Sequence, residues 1–256
     1  MPRRGSGLSP FAVLSTVRGA RATRPAGAIV VGGAPALVGV LARELRAGGD
    51  PAAVREGMAS KGAAPAALVW IGEPDEAALR DAARARVPIV AVTAADHVPY
   101  VLDTDIVRVP PGQGLPVERI LAVLARKLGE RAPSLAAALP VLRGPVVDAL
   151  IRSAARANAL LAAGVRAPSA GMPVLTLSQI RLVTQIALAH GEPIDRSQAT
   201  EVLGVVGAGF GFRAVARTGR RVLPGWAIRG GVAYAGTAFV GEAARRTFAG
   251  SVRVGS

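Results

Sequence analysis

The sequence predicts an α/β domain followed by an all-α domain: a small three-layer, mostly parallel α/β domain and then a Gly-rich helical domain. Between residues 26 and 132, short apolar runs rich in β-branched residues alternate with stretches of helical periodicity, which is typical of a parallel sheet covered on both faces. After Pro133 no strand pattern recurs. The last third, residues 171–248, is apolar and Gly-rich and is interrupted by arginines. We therefore divide the chain into a basic N-terminal segment and linker (1–25), the α/β domain (26–132) and the helical domain (133–256).

The ends of the predicted helices and strands in the α/β domain are marked by glycines and by charged residues. Gly48-Gly49 ends a helical pattern that begins at Leu37, and acidic residues in the first turn favour a helix from Asp75. The apolar run from Ile106 is shorter than the others, so we place it at an edge of the sheet. The predicted strands are 28–31, 66–71, 88–92 and 106–109, and the predicted helices are 37–47, 75–85 and 115–128.

The helical domain is predicted from its capping signals. Pro173 is expected to begin one helix and Gly191 to end it, while Asp195-x-x-Gln198 resembles a capping box that opens the next. The predicted helices are 134–139, 146–163, 173–190, a helix from the capping box to about residue 216, and 226–248. Small residues allow helices to approach closely, whether in a membrane-associated bundle or in a soluble one. The glycines expected to do so are at positions 204, 207, 211, 231, 236 and 241.

The net charge of +14 is unevenly distributed. Residues 1–24 carry +5, residues 25–139 are neutral, and residues 140–256 carry +9 from fourteen Arg and five acidic residues. Basic charge beside apolar helices is typical of contact with anionic lipid. Solvated arginines that reflect a genome-wide bias toward Ala, Gly and Arg are the alternative. A nucleic-acid partner is less expected, because aromatic residues make up only 4% of the chain.

Composition also excludes some chemistry. The chain has no cysteine and only two histidines, so we expect no disulfide, no thiolate catalysis and no zinc site of the usual kind.

The longest uncharged runs in the last third, 202–212 and 230–241, have eleven and twelve residues, whereas a transmembrane helix needs about 20. We therefore expect a helical bundle that associates peripherally with a membrane. The first residues show no signal-peptide pattern, which predicts a cytoplasmic, membrane-associated protein that is not secreted.

Candidate binding residues are few. Gly32 and Gly33 follow the first strand, where a phosphate loop would lie, but the Lys and Ser/Thr of such a loop are absent. Asp96 follows the third predicted strand, where a guanine-selective Asp would lie. These three are weak candidates for cofactor binding, with a tight turn and a helix cap as the alternatives. We predict no catalytic residue, no metal ligand and no bound cofactor.

Charged residues elsewhere divide into two groups. Asp103 and Asp105 are interpreted as solvated carboxylates. Two basic clusters are the candidates for contact with lipid headgroups or an acidic partner, and solvated faces are the alternative. The first consists of Arg152 and Arg156 with Asn158 on one helix face, and the second of Arg213, Arg217, Arg220 and Arg221.

Several segments of the C-terminal part follow one another in a recognisable order. They are Leu150-Ile151-x-x-Ala154-Ala155-x-x-Asn158-Ala159, Pro173-Val174-Leu175-Thr176-Leu177-x-Gln179, Ile186-Ala187-x-x-x-Gly191, Leu203-Gly204-x-x-Gly207-x-Gly209-x-Gly211-x-Arg213, and Pro224-Gly225-Trp226 to Tyr234-Ala235-Gly236-Thr237. Over about residues 140–250 this pattern resembles the YcjF-type C-terminal domain, a family of unknown function often associated with small GTPases. The resemblance implies a helical, membrane-associated domain and implies no catalytic residues.

The preceding α/β part resembles a GTPase-like domain in outline, with a strand, a Gly turn and a helix followed by the strand and Thr93 at 88–93. The phosphate-binding Lys and the magnesium ligand of such domains are missing here. We therefore expect a degenerate domain that does not hydrolyse GTP. The leading hypothesis is a non-enzymatic, membrane-associated protein. In it, the helical domain docks on lipid or self-associates. The alternatives are a residual nucleotide-binding switch and a soluble scaffold that pairs with another protein through Gly-rich helices.

Overall fold

The structure is a computed structural model that describes residues 27–58, 64–110, 112–164, 168–192 and 225–251. These residues form two compact units that divide between Ala149 and Leu150. The first contains a parallel sheet with helices and the second is helical, which confirms the predicted fold class. The predicted helix from the Asp195 capping box to residue 216 lies outside the described residues.

The sheet of the first unit has five parallel strands in the order β2-β1-β3-β4-β5, a common order for doubly wound sheets. The strands are β1 (Ile29–Gly33), β2 (Val54–Glu56), β3 (Ala67–Ile71), β4 (Ile89–Thr93) and β5 (Ile106–Arg108). The edge position predicted for the last strand is confirmed. Strand β2 was not predicted, because it is three residues long and two of them, Arg55 and Glu56, are charged and exposed.

The helices of the first unit are α1 (Pro35–Arg46), α2 (Glu76–Arg84), α3 (Val117–Leu128) and α4 (Ala132–Ala138). Asp75 caps α2, since its side chain accepts hydrogen bonds from the N–H groups of Ala77 and Ala78 at 2.9 and 3.1 Å. The central strands are buried at nearly every position, so residues facing both sides of the sheet contribute to the core. The core on one face combines Val30, Leu68, Trp70, Ile89 and Ala91 of the strands with Ala78, Leu79 and Ala82 of α2.

The described part of the second unit consists of α5 (Arg143–Gly164) from residue 150 onward, α6 (Pro168–Ala189) and α7 (Gly225–Ser251). The proline at the start of α6 is Pro168, and the helix continues through Pro173, so the predicted start at Pro173 is wrong. Either proline satisfies the N-terminal preference for this residue, and the sequence signal does not choose between them.

Helices α5 and α7 approach each other closely at two glycines. A Cβ atom at Gly241 would lie 2.5 Å from Cγ1 of Ile151, and one at Gly230 would lie 3.2 Å from the carbonyl oxygen of Ala159. The close approach predicted for Gly241 is therefore confirmed. At Gly231 an added Cβ would meet no atom of the described residues within 4 Å, so the described part of the chain shows no close approach there. The predicted glycines at 204, 207 and 211 lie outside the described residues.

Candidate functional site

The turn between β1 and α1 is very short. Gly33 ends the strand and Pro35 begins the helix, so that Ala34 alone connects them. Gly33 has a φ of +111°, and a Cβ there would lie 1.9 Å from the carbonyl oxygen of Ile71. The N–H of Ala34 donates to the same oxygen at 2.8 Å. The turn is thus held directly against the end of β3.

The start of α1 has few donors to offer an anion. The N–H of Ala34 is bonded to Ile71, and Pro35 has no N–H. The N–H groups of Leu37 and Val38 both donate to the carbonyl oxygen of Ala34 at 3.0 Å. A phosphate site at a helix N-terminus depends on several free N–H groups that converge on one point. This turn therefore has a clear structural purpose and a poor geometry for holding phosphate.

The other glycine of this candidate site is also explained by packing. A Cβ atom at Gly32 would lie 2.9 Å from the carbonyl oxygen of Gly57 and 3.1 Å from Cζ3 of Trp70. The Trp70 ring is 7% exposed, and its Nε1 donates to the carbonyl oxygen of Glu73 at 2.7 Å. Gly32 thus makes room for a buried, fixed indole ring.

Asp96 lies in the loop after β4. In the parallel sheet this loop is on the same side as the carboxyl end of β1. Its carboxylate is exposed and Oδ1 lies 3.3 Å from Nε of Arg108, while Nη2 of Arg108 donates to the backbone carbonyl oxygen of Asp96 at 3.1 Å. The loop is further held by Thr93, whose Oγ1 accepts from the N–H of Ala95 at 3.2 Å. Asp96 therefore connects the end of β4 to the end of β5. It lies two strands away from Gly33 in the sheet order.

The basic candidates of the helical unit lie on α5. Arg152 and Arg156 are exposed one turn apart, and Leu160, one turn further, is 76% exposed. We call these three residues the α5 row. Among the residues the structure describes, neither arginine has an ion-pair partner. The second predicted cluster, Arg213, Arg217, Arg220 and Arg221, lies outside the described residues.

Two assignments of polar residues are wrong. Asn158 is 2% exposed and does not share the exposed side of α5; its Nδ2 donates to Oγ1 of Thr237 at 2.9 Å. The side chain of Asp105 is 3% exposed, with Oδ2 at 2.6 Å from Nζ of Lys127 and Oδ1 at 3.0 Å from Nη2 of Arg126. Both residues have partners on a different helix, so their burial depends on tertiary register that local sequence does not contain. Asp103 is exposed, as predicted.

The start of α7 presents further exposed groups of the same chemical kinds. Trp226 is 60% exposed, and Arg229 is exposed while its Nε donates to the carbonyl oxygen of Ala162 at 3.4 Å.

No helix in the described ranges is both long enough and apolar enough to span a bilayer. Over the same ranges, no three His, Asp or Glu side chains are grouped in a way that would hold a metal ion.

Comparison with known proteins finds no family model, no curated protein and no solved structure that matches this chain. The geometry of the described residues is therefore the basis for a functional proposal.

Proposed function

We propose that this chain is a non-enzymatic protein that binds an anionic membrane surface through its C-terminal helical unit. The observation that carries the proposal is the α5 row, in which two arginines and an exposed leucine follow one another at successive turns of one helix, and neither arginine pairs with an acidic side chain among the described residues. Like charges one turn apart destabilise a helix by about 0.2–0.5 kcal/mol. An anionic surface outweighs this repulsion, because it contributes about 1 kcal/mol for each basic residue near the headgroups.

The start of α7 supports the same partner. Tryptophan has an apolar ring and an N–H donor, a combination suited to the membrane–water interface, and Trp226 is 60% exposed. The described residues of the unit, 150–164, 168–192 and 225–251, carry six Arg against two Glu, which is a net charge of +4. Positive charge with an exposed indole and an exposed leucine favours a lipid surface over an acidic protein, which would not need the apolar groups.

Sedimentation with lipid vesicles tests the proposal. The wild-type chain should sediment with vesicles that contain phosphatidylserine and stay in solution with pure phosphatidylcholine. The double variant Arg152→Gln/Arg156→Gln should lose most of this binding. Arg80→Gln/Arg84→Gln is the matched control, because it removes the same charge at the same spacing from α2 in the first unit. Equal loss in both variants would show that net charge, and not the α5 row, determines the binding.

A further inference from the structure

The first unit contains an open cavity between α1 and the edge strand β2. Its volume is about 560 Å³, and it opens widely to solvent. Four lining residues belong to α1 and the residue that follows it, and the fifth belongs to β2. They are Gly39, Arg43, Arg46, Ala47 and Glu56.

Gly39 has no structural reason to be glycine. It lies in the interior of α1, where glycine costs about 1 kcal/mol relative to alanine. A Cβ atom at this position would meet no atom of the described residues within 4 Å, and the backbone is not in the left-handed region. Neither packing nor φ therefore requires glycine here. Glycine here leaves the cavity floor open, whereas a large side chain would project into the space.

The two arginines of the cavity differ in their partners. Arg46 is held in place, because its Nη1 lies 2.6 Å from Oε1 of Glu56 and its Nη2 donates to the carbonyl oxygen of Val54 at 3.1 Å. Arg43 is exposed and, among the described residues, its guanidinium has no acceptor. Its neighbours one turn away on α1 are not acidic either. They are Gly39, Val40, Arg46 and Ala47.

We propose that this cavity binds a small molecule with a single carboxylate and an apolar body. The Arg43 guanidinium receives the carboxylate as a bidentate pair, which suits its planar fork of donors. The apolar body lies over Gly39 and Ala47. The lining charges of Arg43, Arg46 and Glu56 leave a net charge of +1, which one carboxylate balances. A phosphate dianion exceeds that charge and is repelled by Glu56 in the same cavity.

An NMR titration of the full-length chain tests the proposal. The probes are sodium acetate, butyrate and benzoate, with benzamide as the uncharged match for benzoate and inorganic phosphate as the dianion. Butyrate and benzoate should shift the amide signals of Gly39, Arg43 and Ala47 in a saturable way, and more tightly than acetate. Benzamide should cause no such shift, and phosphate should bind more weakly than benzoate. Absence of saturable binding for all three carboxylates, or tighter binding of phosphate, would overturn the proposal.

Two variants test separately the charge of Arg43 and the open space above Gly39. Arg43→Gln should weaken benzoate binding about tenfold or more, because a hydrogen-bonded charge pair is lost. Gly39→Leu keeps both arginines and should abolish binding by filling the cavity floor. Arg84→Gln, an exposed arginine in the last turn of α2, is the control and should bind benzoate like the wild type. Unchanged binding in both cavity variants would contradict the site, and it does not bear on the membrane proposal.

Discussion

Oδ2 of Asp105 lies 2.6 Å from Nζ of Lys127, and this ion pair joins the start of the edge strand β5 to the last turn of α3. Arg126 adds a second contact at 3.0 Å to Oδ1 and also donates to the carbonyl oxygen of Thr104. An edge strand of three residues has few ladder hydrogen bonds. These charged contacts therefore fix a strand that backbone pairing alone holds weakly.

Asp105→Asn should lower the free energy of unfolding by about 1–3 kcal/mol, as measured by urea denaturation. Removing one partner of a fully buried pair costs about 3–5 kcal/mol, but the side chains of Lys127 and Arg126 are 28% and 54% exposed, and water compensates part of the loss. Asp103→Asn makes the same charge change at an exposed position and should stay within about 0.5 kcal/mol of the wild type. A similar loss in both variants would mean that Asp105 acts only through net charge.

Gly241→Ala and Gly231→Ala should change stability in opposite directions. The added methyl group at position 241 would lie 2.5 Å from Ile151, so α5 and α7 must shift apart, and the strain exceeds the gain in helix propensity. We expect a net loss of about 1 kcal/mol. At position 231 the methyl group meets no atom of the described residues, and the gain of up to about 1 kcal/mol remains. Thermal or urea unfolding of the second unit measures both values, and a stabilised Gly241→Ala would show that the two helices are not in close contact there.

GTP, GDP and ATP, each with and without magnesium, should leave the melting temperature unchanged. The turn after β1 has one connecting residue, and its N–H groups are largely taken by backbone oxygens. A ligand at about a hundred times its dissociation constant adds about 2.7 kcal/mol to stability, which a thermal-shift assay detects readily. A magnesium-dependent rise with any of the three nucleotides would restore the switch hypothesis for Gly32, Gly33 and Asp96.

Arg152→Gln/Arg156→Gln should weaken partition onto phosphatidylserine vesicles by about 2 kcal/mol, or about thirtyfold. Binding of the wild type should also fall as salt rises from 0.05 to 0.5 M, because the Debye length shortens from more than about 10 Å to a few ångströms. Leu160→Ser leaves the charge unchanged and measures how much the apolar side chain of the α5 row contributes to vesicle binding. Binding that is insensitive to salt and to all three residues would exclude this surface as the membrane contact.

The parts of the fold that could be predicted from the sequence are those whose burial follows from a local run of apolar residues. Strands β1, β3 and β4 are runs of buried apolar residues, and the sequence predicts each within about two residues of its observed ends. Strand β2 escapes prediction because Val54 is its only apolar residue. The burial of Asp105 escapes it because the partners are 21 and 22 positions away on α3.

The candidate sites divide in the same way. The exposure of Arg152 and Arg156 follows from one polar side of a helix, which a sequence shows directly. The cavity beside α1 involves Glu56, a residue on the strand that the sequence did not reveal, so no local pattern brings it together with Arg43. Likewise, the roles of Gly32 and Gly33 depend on Trp70 and Ile71 of the neighbouring strand.

The hydrogen bond from Arg46 to the carbonyl oxygen of Val54 shields part of the free edge of β2. A bare strand at the rim of a sheet invites another chain to dock alongside it, and such pairing is a route to fibrils. The guanidinium occupies an acceptor that an incoming strand would need, and the next two residues of the strand, Arg55 and Glu56, are charged and exposed. The last turn of α1 thereby hinders the pairing of another strand with the edge of β2.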